Sequence, residues 1–495
     1  MSLLDRRQFL GSAGVAGLAA ALPEYGLSLP FAAPGGNSFP PGFFWGASTA
    51  AAQSEGSPLA DGGGESIWDV FLRTPKATVD GSNNLLADDE YHRWPEDLNL
   101  MQQIGLNAYR FSVSWPRVLP EGKGHANAKG LDYYDRLIDA LLQAKITPFL
   151  TTYHFDYPEA LQKQGGWLNP DSPQWLADYA HMLSSRLSDR VTHWLTINEP
   201  NILWGFGSEG GTMPPQQKLA DAELVRGAHN ILLGHGKSVQ GIRAGAKRPV
   251  EVSLAFAGLF SLPASDSPAD VAAARTASFR VKKTKLAPDL PPMTMLSTGW
   301  WLDPIHLGKY PEDGLKLFPE ATKLAKPEDM KTINQSLDFC AVNLYFAPTV
   351  KAGADGQPEA VPDSPNIPRS HYGWAVTPDV LYWAPKFLFE RYQKTIAITE
   401  NGLANDDKPT SDGKVHDPER TAFLDAYLKS LRRASLEGVP LKGYFHWSLL
   451  DNFEWTQGFN QRFGLIYVDY KTQKRILKDS AARYTQIIRS QGAIL

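Results

Sequence analysis

A chain of 495 residues with a formal net charge of −4, 43% hydrophobic and 21% charged residues has the balance of a folded globular protein, neither disordered nor a basic nucleic-acid binder. Its length fits two or three domains, or one large barrel with long loops. A single cysteine, Cys340, rules out an intrachain disulfide. No metal-ligand spacing or phosphate-cradling glycine loop occurs, and His193, His229 and His235 belong to no zinc motif, so no metal or other cofactor is expected.

Residues 1–35 read as an export segment. Asp5-Arg-Arg-Gln-Phe-Leu10 precedes a small, apolar run at 11–22 that is too short for stable membrane insertion. Paired arginines before such a run resemble a bacterial twin-arginine signal, which implies the twin-arginine export machinery as a partner and a periplasmic or secreted mature protein. From there, apolar β-prone runs recur at 43–47, 107–114, 147–152, 194–197, 251–256, 337–343, 395–400 and 443–447. Helical patterning lies between them at 90–104, 133–144, 174–187 and 222–244. The alternation predicts an α/β fold: a single (β/α)8 TIM barrel with long βα loops, occupying 36–495. The Gly/Pro-rich stretch 201–217 reads as a loop over the site and 351–370 as an exposed loop. Cys340 reads as a buried core thiol.

Chemistry collects at the strand ends. Gln53 follows the first strand. Arg110 sits within the apolar alternation of the second, where an unpaired charge would cost heavily. The third ends at His154. The fourth, Trp194-Leu-Thr-Ile-Asn-Glu-Pro200, stops at Asn198, Glu199 and a helix-hostile proline. The sixth reaches Asn343 and Tyr345, and the seventh, Thr395-Ile-Ala-Ile-Thr-Glu-Asn-Gly402, delivers Glu400. The eighth ends at Trp447, ahead of Glu454 and Trp455. His446, adjacent to Trp447 in a strand, should face the helices. In a parallel barrel all these ends share one rim, so Glu199 and Glu400 can face each other. Two facing carboxyls are what glycosidic bond cleavage needs, although a lone strand-end Glu serves equally as a cap or an ion-pair partner.

Thr196-Ile-Asn-Glu-Pro200 and Ile398-Thr-Glu-Asn-Gly402 resemble the acid/base and nucleophile motifs of glycoside hydrolase family 1, the β-glucosidase family, and the likeness runs over about 39–484. It implies a retaining, exo-acting β-glycosidase acting on a small-molecule β-glycoside or β-linked oligosaccharide with a terminal, non-phosphorylated sugar. Glu400 would be the nucleophile, supported by Arg110 and Tyr345, and Glu199 the acid/base. Gln53, His154, Asn198, Asn343, Trp447, Glu454 and Trp455 would bind the sugar, and Trp374 would stack on the leaving-group side. The family's phosphate clamp is missing from 456–461, and Glu454 would repel a phosphate dianion. The sequence departs from the family at Ala52, Phe155, Leu344 and Ala375. The match lapses over 280–297, which reads as a solvated insertion rather than a pocket wall. A transglycosylase using the same intermediate, or a carbohydrate-binding barrel without turnover, would carry the same pocket.

Overall fold

The computed structural model describes residues 36–285 and 290–495, so the expected export segment lies outside the described residues. Eight strands form a closed barrel: β1 (Phe44–Ser48), β2 (Ala108–Ser112), β3 (Thr147–Tyr153), β4 (His193–Asn198), β5 (Glu251–Ala257), β6 (Cys340–Asn343), β7 (Ile396–Asn401) and β8 (Leu441–Trp447). Every neighbouring pair is parallel, with β1 closing on β8. Helices such as Glu90–Ile104, Ala128–Gln143, Ser172–Leu187 and Asp221–Gly245 run between strands, as parallel pairing requires.

Alternation along the strands builds the barrel interior in layers. Ala108, Phe149, Leu195, Ala255, Ala341, Ala397 and Phe445 form a buried apolar plug. Rings fit because their neighbours are small: a Cβ at Gly46 would lie 2.3 Å from the Phe445 ring and one at Gly443 would lie 2.7 Å from Phe44 Cβ. Two residues further along, the same strands present Arg110, Thr151, Asn343, Thr399 and Trp447. The plug is thus the floor of a polar layer at the C-terminal rim.

Several elements differ from expectation. The sixth strand is shorter than expected; ahead of it the Asp338 carboxylate accepts the Val252 N–H at 2.7 Å while the Asp338 N–H donates to the Val252 carbonyl at 3.1 Å. The helix expected from 133 begins at Ala128; Gly130 is required in its first turn, where a Cβ would meet the Arg117 carbonyl at 2.5 Å. The stretch 351–370, expected to be an exposed loop, overlaps the strand Thr349–Ala352, which pairs antiparallel with Pro358–Val361 inside it. Those strands carry too little apolar alternation to announce themselves. Cys340 is buried, and burial pushes its thiol up to about 12. His446 turns away from the barrel interior towards Tyr484, 6.3 Å between ring centres, and Nε2 lies 3.2 Å from the Phe463 carbonyl.

Beside the rim, Lys478 Nζ donates to Asp407 and Asp451, each at 2.6 Å, and Arg420 pairs with Asp407 at 2.7 Å and with Asp417 at 2.5 Å. These five side chains are at most 1% exposed. Asp407 lies beyond β7 and Asp451 beyond β8, so one ammonium ties together the segments that follow Glu400 and precede Glu454.

Immediately after β7, a Cβ on Gly402 would sit 1.7 Å from the Trp447 carbonyl oxygen, backbone that no rotamer change can move aside. Gly402→Ala is expected to cost about 3 kcal/mol, the upper end of ordinary overpacking. A thermal midpoint equal to that of the parent would show that this close approach is not made.

Candidate active site

Two breaks in strand register aim the glutamates. β4 slips against β5 between Leu195 and Asn198, and β7 slips against β6 between Ile398 and Glu400. A bulge interrupts alternation and re-directs the side chain beyond it. Glu199 itself has left-handed backbone, φ 46° and ψ 59°, a conformation that strains a residue with a Cβ. Pro200 does not oppose a helix here. It opens the helix Pro200–Trp204, where a first residue without an N–H loses no bond.

Arg110 is fully buried and its guanidinium reaches four acceptors. Nη1 donates to Glu400 Oε1 at 2.5 Å and to the Thr399 carbonyl at 3.3 Å, Nη2 to Asn198 Oδ1 at 2.7 Å, and Nε to Thr151 Oγ1 at 3.1 Å. Tyr345 donates its hydroxyl to the other Glu400 oxygen at 2.8 Å. Among the described residues no cation pairs with Glu199: its Oε1 accepts from Asn343 Nδ2 at 2.8 Å, and that amide also donates to Asn198 Oδ1 at 3.1 Å. Thr399 fixes the Asn343 amide by donating to Oδ1 at 2.7 Å.

The Asn198 carbonyl is therefore committed to two donors, which leaves its Nδ2 facing His154 Nε2 at 2.9 Å. Nε2 must accept, so the proton lies on Nδ1, which is buried with no partner among the described residues. Burial, reinforced by Arg110, holds His154 well below the usual imidazole range and keeps it neutral. Gln53 Nε2 donates to the Phe453 carbonyl at 2.9 Å and to Glu454 at 3.2 Å, while its Oε1 is buried with no partner among the described residues. A neutral donor and a neutral acceptor thus stand uncommitted, as hydroxyl recognition requires.

One cavity of about 830 Å³ joins these groups: Gln53, His154, Glu199, Asn343, Tyr345, Trp374, Glu400, Trp447, Glu454 and Trp455 all line it. Arg110 and Asn198 stand behind that lining. The His154 ring is stacked near Trp447 and Trp455, at 5.9 and 6.0 Å between centres, and Phe155 lies 5.1 Å from Trp455. Trp374 stacks on Tyr372 at 4.3 Å and on Phe346 at 5.2 Å. Ala375 is buried, not part of the lining.

The two carboxyls meet opposite surroundings. Burial, then the Glu400 charge, pushes Glu199 up to about 8. Burial raises Glu400 as well, but Arg110 opposes it, aided by the Tyr345 hydroxyl, so the shared proton belongs on Glu199. Burial and the Glu400 charge likewise push Glu454 up to about 8.

The remaining lining was not legible from strand ends. The stretch 201–217 contributes Ile202, Phe206, Thr212 and Met213, partly from helix rather than loop. The described part of 280–297 is only partly solvated: Lys282, Lys283, Lys285, Pro291 and Pro292 are exposed, whereas Met293, Met295 and Leu296 are buried and Leu290 reaches the cavity. Apolar spacing in Leu290-Pro-Pro-Met-Thr-Met-Leu296 was the available signal, masked by the basic residues before it. Among the described residues, no group of three or more His, Cys, Asp or Glu is placed to hold a metal, and no helix is long and apolar enough to cross a membrane.

The model of glycosyl hydrolase family 1 matches residues 36–493. The chain is 42% identical over 456 residues to a 1,4-beta-D-glucan glucohydrolase of Thermotoga neapolitana, covering 92% of this chain and 99% of that one. It is 41% identical over 456 residues to beta-glucosidase A of Thermotoga maritima, covering 92% and 98%. The structure of a beta-glucosidase from Thermotoga maritima in complex with glucoimidazole superposes with a TM-score of 0.83 at 40% identity, over 92% of this chain and 100% of that one.

Because folding raises the Glu199 pKa from 4.5 to about 8, its contribution to stability is complete below about 4.5 and is lost as pH rises through about 8. Glu199→Gln removes that titration. Its thermal midpoint is expected to gain on the parent between pH 5 and pH 9; a difference that does not change with pH would place the proton elsewhere.

Proposed function

The chain belongs to glycosyl hydrolase family 1, and from that premise we propose that it is a retaining, exo-acting β-glucosidase that removes terminal, non-phosphorylated glucose from β-glucosides by double displacement. One observation carries the reading: two carboxyls open into one cavity, of which one is paired with a guanidinium and the other with an amide alone.

Each step follows from those partners. Ionised Glu400 attacks the anomeric carbon while the Glu199 proton passes to the departing glycosidic oxygen, so the C–O bond breaks without expelling an alkoxide. The sugar is then esterified to Glu400, whose charge is gone. The proton affinity of Glu199 falls with it, and Glu199 takes a proton from the water that attacks the same carbon. Two inversions return the β anomer. Gln53 Oε1, His154 Nδ1–H and the Glu454 carboxyl are positioned to meet sugar hydroxyls, and Trp447 and Trp455 supply apolar faces. Neutral Glu454 can donate as well as accept.

Retention also supports passing the sugar to an alcohol in place of water, since both would meet the same ester. Hydrolysis is the favoured outcome because water is in excess.

The residues 1–35 are proposed to direct twin-arginine export to the periplasm or beyond. Arg6 and Arg7 ahead of Phe9, Leu10 and the apolar run at 11–22 support this. A fold with one buried cysteine needs no oxidative pairing after translocation.

Glu400→Gly should abolish turnover of aryl β-glucosides, and added azide should restore reaction with an α-glucosyl azide product, since the small anion fills the vacated space and attacks once. Full activity of this variant would dismiss Glu400 as nucleophile. Glu199→Ala should lose roughly 100- to 10,000-fold on alkyl glucosides, whose leaving oxygen needs the proton, and far less on dinitrophenyl glucoside. Equal losses on both substrates would mean that another group is the acid. For export, the double substitution Arg6→Lys, Arg7→Lys should hold full-length precursor in the cytosol while the parent appears in the periplasmic fraction or medium; identical distributions would overturn that route.

A further inference from the structure

We infer that Glu90, which lies at no strand end and outside the cavity lining, is a positioning residue for Gln53: its buried carboxyl holds both ends of the turn that presents the Gln53 amide to the sugar. This rests on the β-glucosidase reading above. The one-turn helix Ala51–Ser54 is too short to hold itself, and Ala50 at its N-cap offers no capping oxygen. Yet Gln53 Oε1, buried with no partner among the described residues, must stand at a fixed point of the cavity wall to meet a hydroxyl.

Glu90 reaches that turn from both sides of Gln53. Its Oε2 accepts the hydroxyl of Ser54, the next residue along. Its Oε1 accepts the Tyr109 hydroxyl at 2.6 Å, and the Tyr109 oxygen lies 2.6 Å from Oγ1 of Thr49, where the turn begins. Tyr109 has one hydroxyl proton and directs it to Glu90, so Thr49 donates to Tyr109 and every bond of the set runs towards the carboxyl. The backbone makes the same junction: the N–H groups of Asp88 and Tyr91 donate to the carbonyls of Ser54 and Glu55, each at 3.1 Å. From the opposite side the Phe453 N–H donates to the Gln53 carbonyl, also at 3.1 Å, so the turn is gripped between two segments.

Glu90 differs from its neighbour Glu55 in what it answers to. Glu55 accepts from Arg117 Nε at 2.9 Å and from the Tyr134 hydroxyl at 2.6 Å, so removing it would strand a buried cation and damage the fold at large. Glu90 is 3% exposed and, among the described residues, pairs with no cation. Burial raises its pKa, and the Ser54 and Tyr109 hydroxyls oppose that rise. It is also the first residue of the helix Glu90–Ile104, where the unpaired N–H groups favour a carboxylate. Its hydroxyl partners belong to the turn itself and to β2 beside it, so the work of this buried acid is local to the turn that carries Gln53.

A double-mutant cycle tests the inference, because it isolates what Glu90 contributes through Gln53. On p-nitrophenyl β-D-glucoside, per molecule of folded protein, Glu90→Gln keeps one acceptor of two and should lower kcat/KM roughly fivefold, equivalent to about 1 kcal/mol. Glu90→Met, of similar length and without either oxygen, should lower it roughly 25-fold. In the Gln53→Ala background both effects should shrink below about twofold. Ser54→Ala leaves Glu90 in place and frees one end of the turn; it should cost roughly fivefold beside Gln53 and nothing in its absence, and it gives the answer if neither Glu90 variant folds. No loss in these variants, or equal losses with and without Gln53, would overturn the inference. So would a parent kcat/KM that Gln53→Ala leaves untouched. Each of those results spares the glucosidase reading, whereas a parent enzyme that releases no p-nitrophenol would overturn that reading and this inference with it.

Discussion

A single guanidinium, sealed into the barrel, sets the terms for the whole site. Arg110 cannot be hydrated, so its charge must be answered inside the protein, and Glu400 is the only carboxylate it reaches among the described residues. Its N–H groups also reach β3, β4 and β7, through Thr151, Asn198 and the Thr399 carbonyl. Removing it would leave Glu400 buried and unpaired, which is far costlier than losing an exposed ion pair. The pair fixes where negative charge sits, and with it where the proton sits. Glu199 differs from Glu400 in its partner and not in its chemistry.

What was readable beforehand follows from how local each signal is. Strand ends could be read because a run such as Thr395-Ile-Ala-Ile-Thr-Glu400 carries its own apolar pattern and its own terminus. Arg110 could be read because a charge within an apolar alternation is conspicuous. Register slips at Asn198 and Glu400 could not, since they are properties of pairing with a distant strand, Asn198 opposite Ala255 and Glu400 opposite Asn343. The same limit applies to Pro200, whose role depends on whether the chain turns before it. It also applies to the Thr349–Ala352 pairing, in which neither strand is apolar enough to stand out. The engagement of the Asn198 amide with three partners, and hence the His154 tautomer, required side chains from three strands at once.

Depth in the barrel also separates what strand geometry dictates from what the connecting segments are free to set. The floor and polar layer come from strand residues whose spacing is set by alternation, so they tolerate little variation. The rim comes from connecting segments, which lengthen and change at small thermodynamic cost. Residues 280–297 illustrate the consequence: a basic, proline-rich stretch that looks disposable nevertheless contributes buried Met293, Met295 and Leu296 and a residue facing the cavity.

The Lys478 ion cluster has a bearing on the conditions this geometry tolerates. Counter-ions weaken attraction between charges they can approach, and none can approach a group enclosed on every side. The ammonium clasp between Asp407 and Asp451 should therefore grip as firmly in brine as in dilute buffer. Warming lowers the penalty for keeping such ions dehydrated, which turns the clasp from a burden at low temperature into an asset at high temperature.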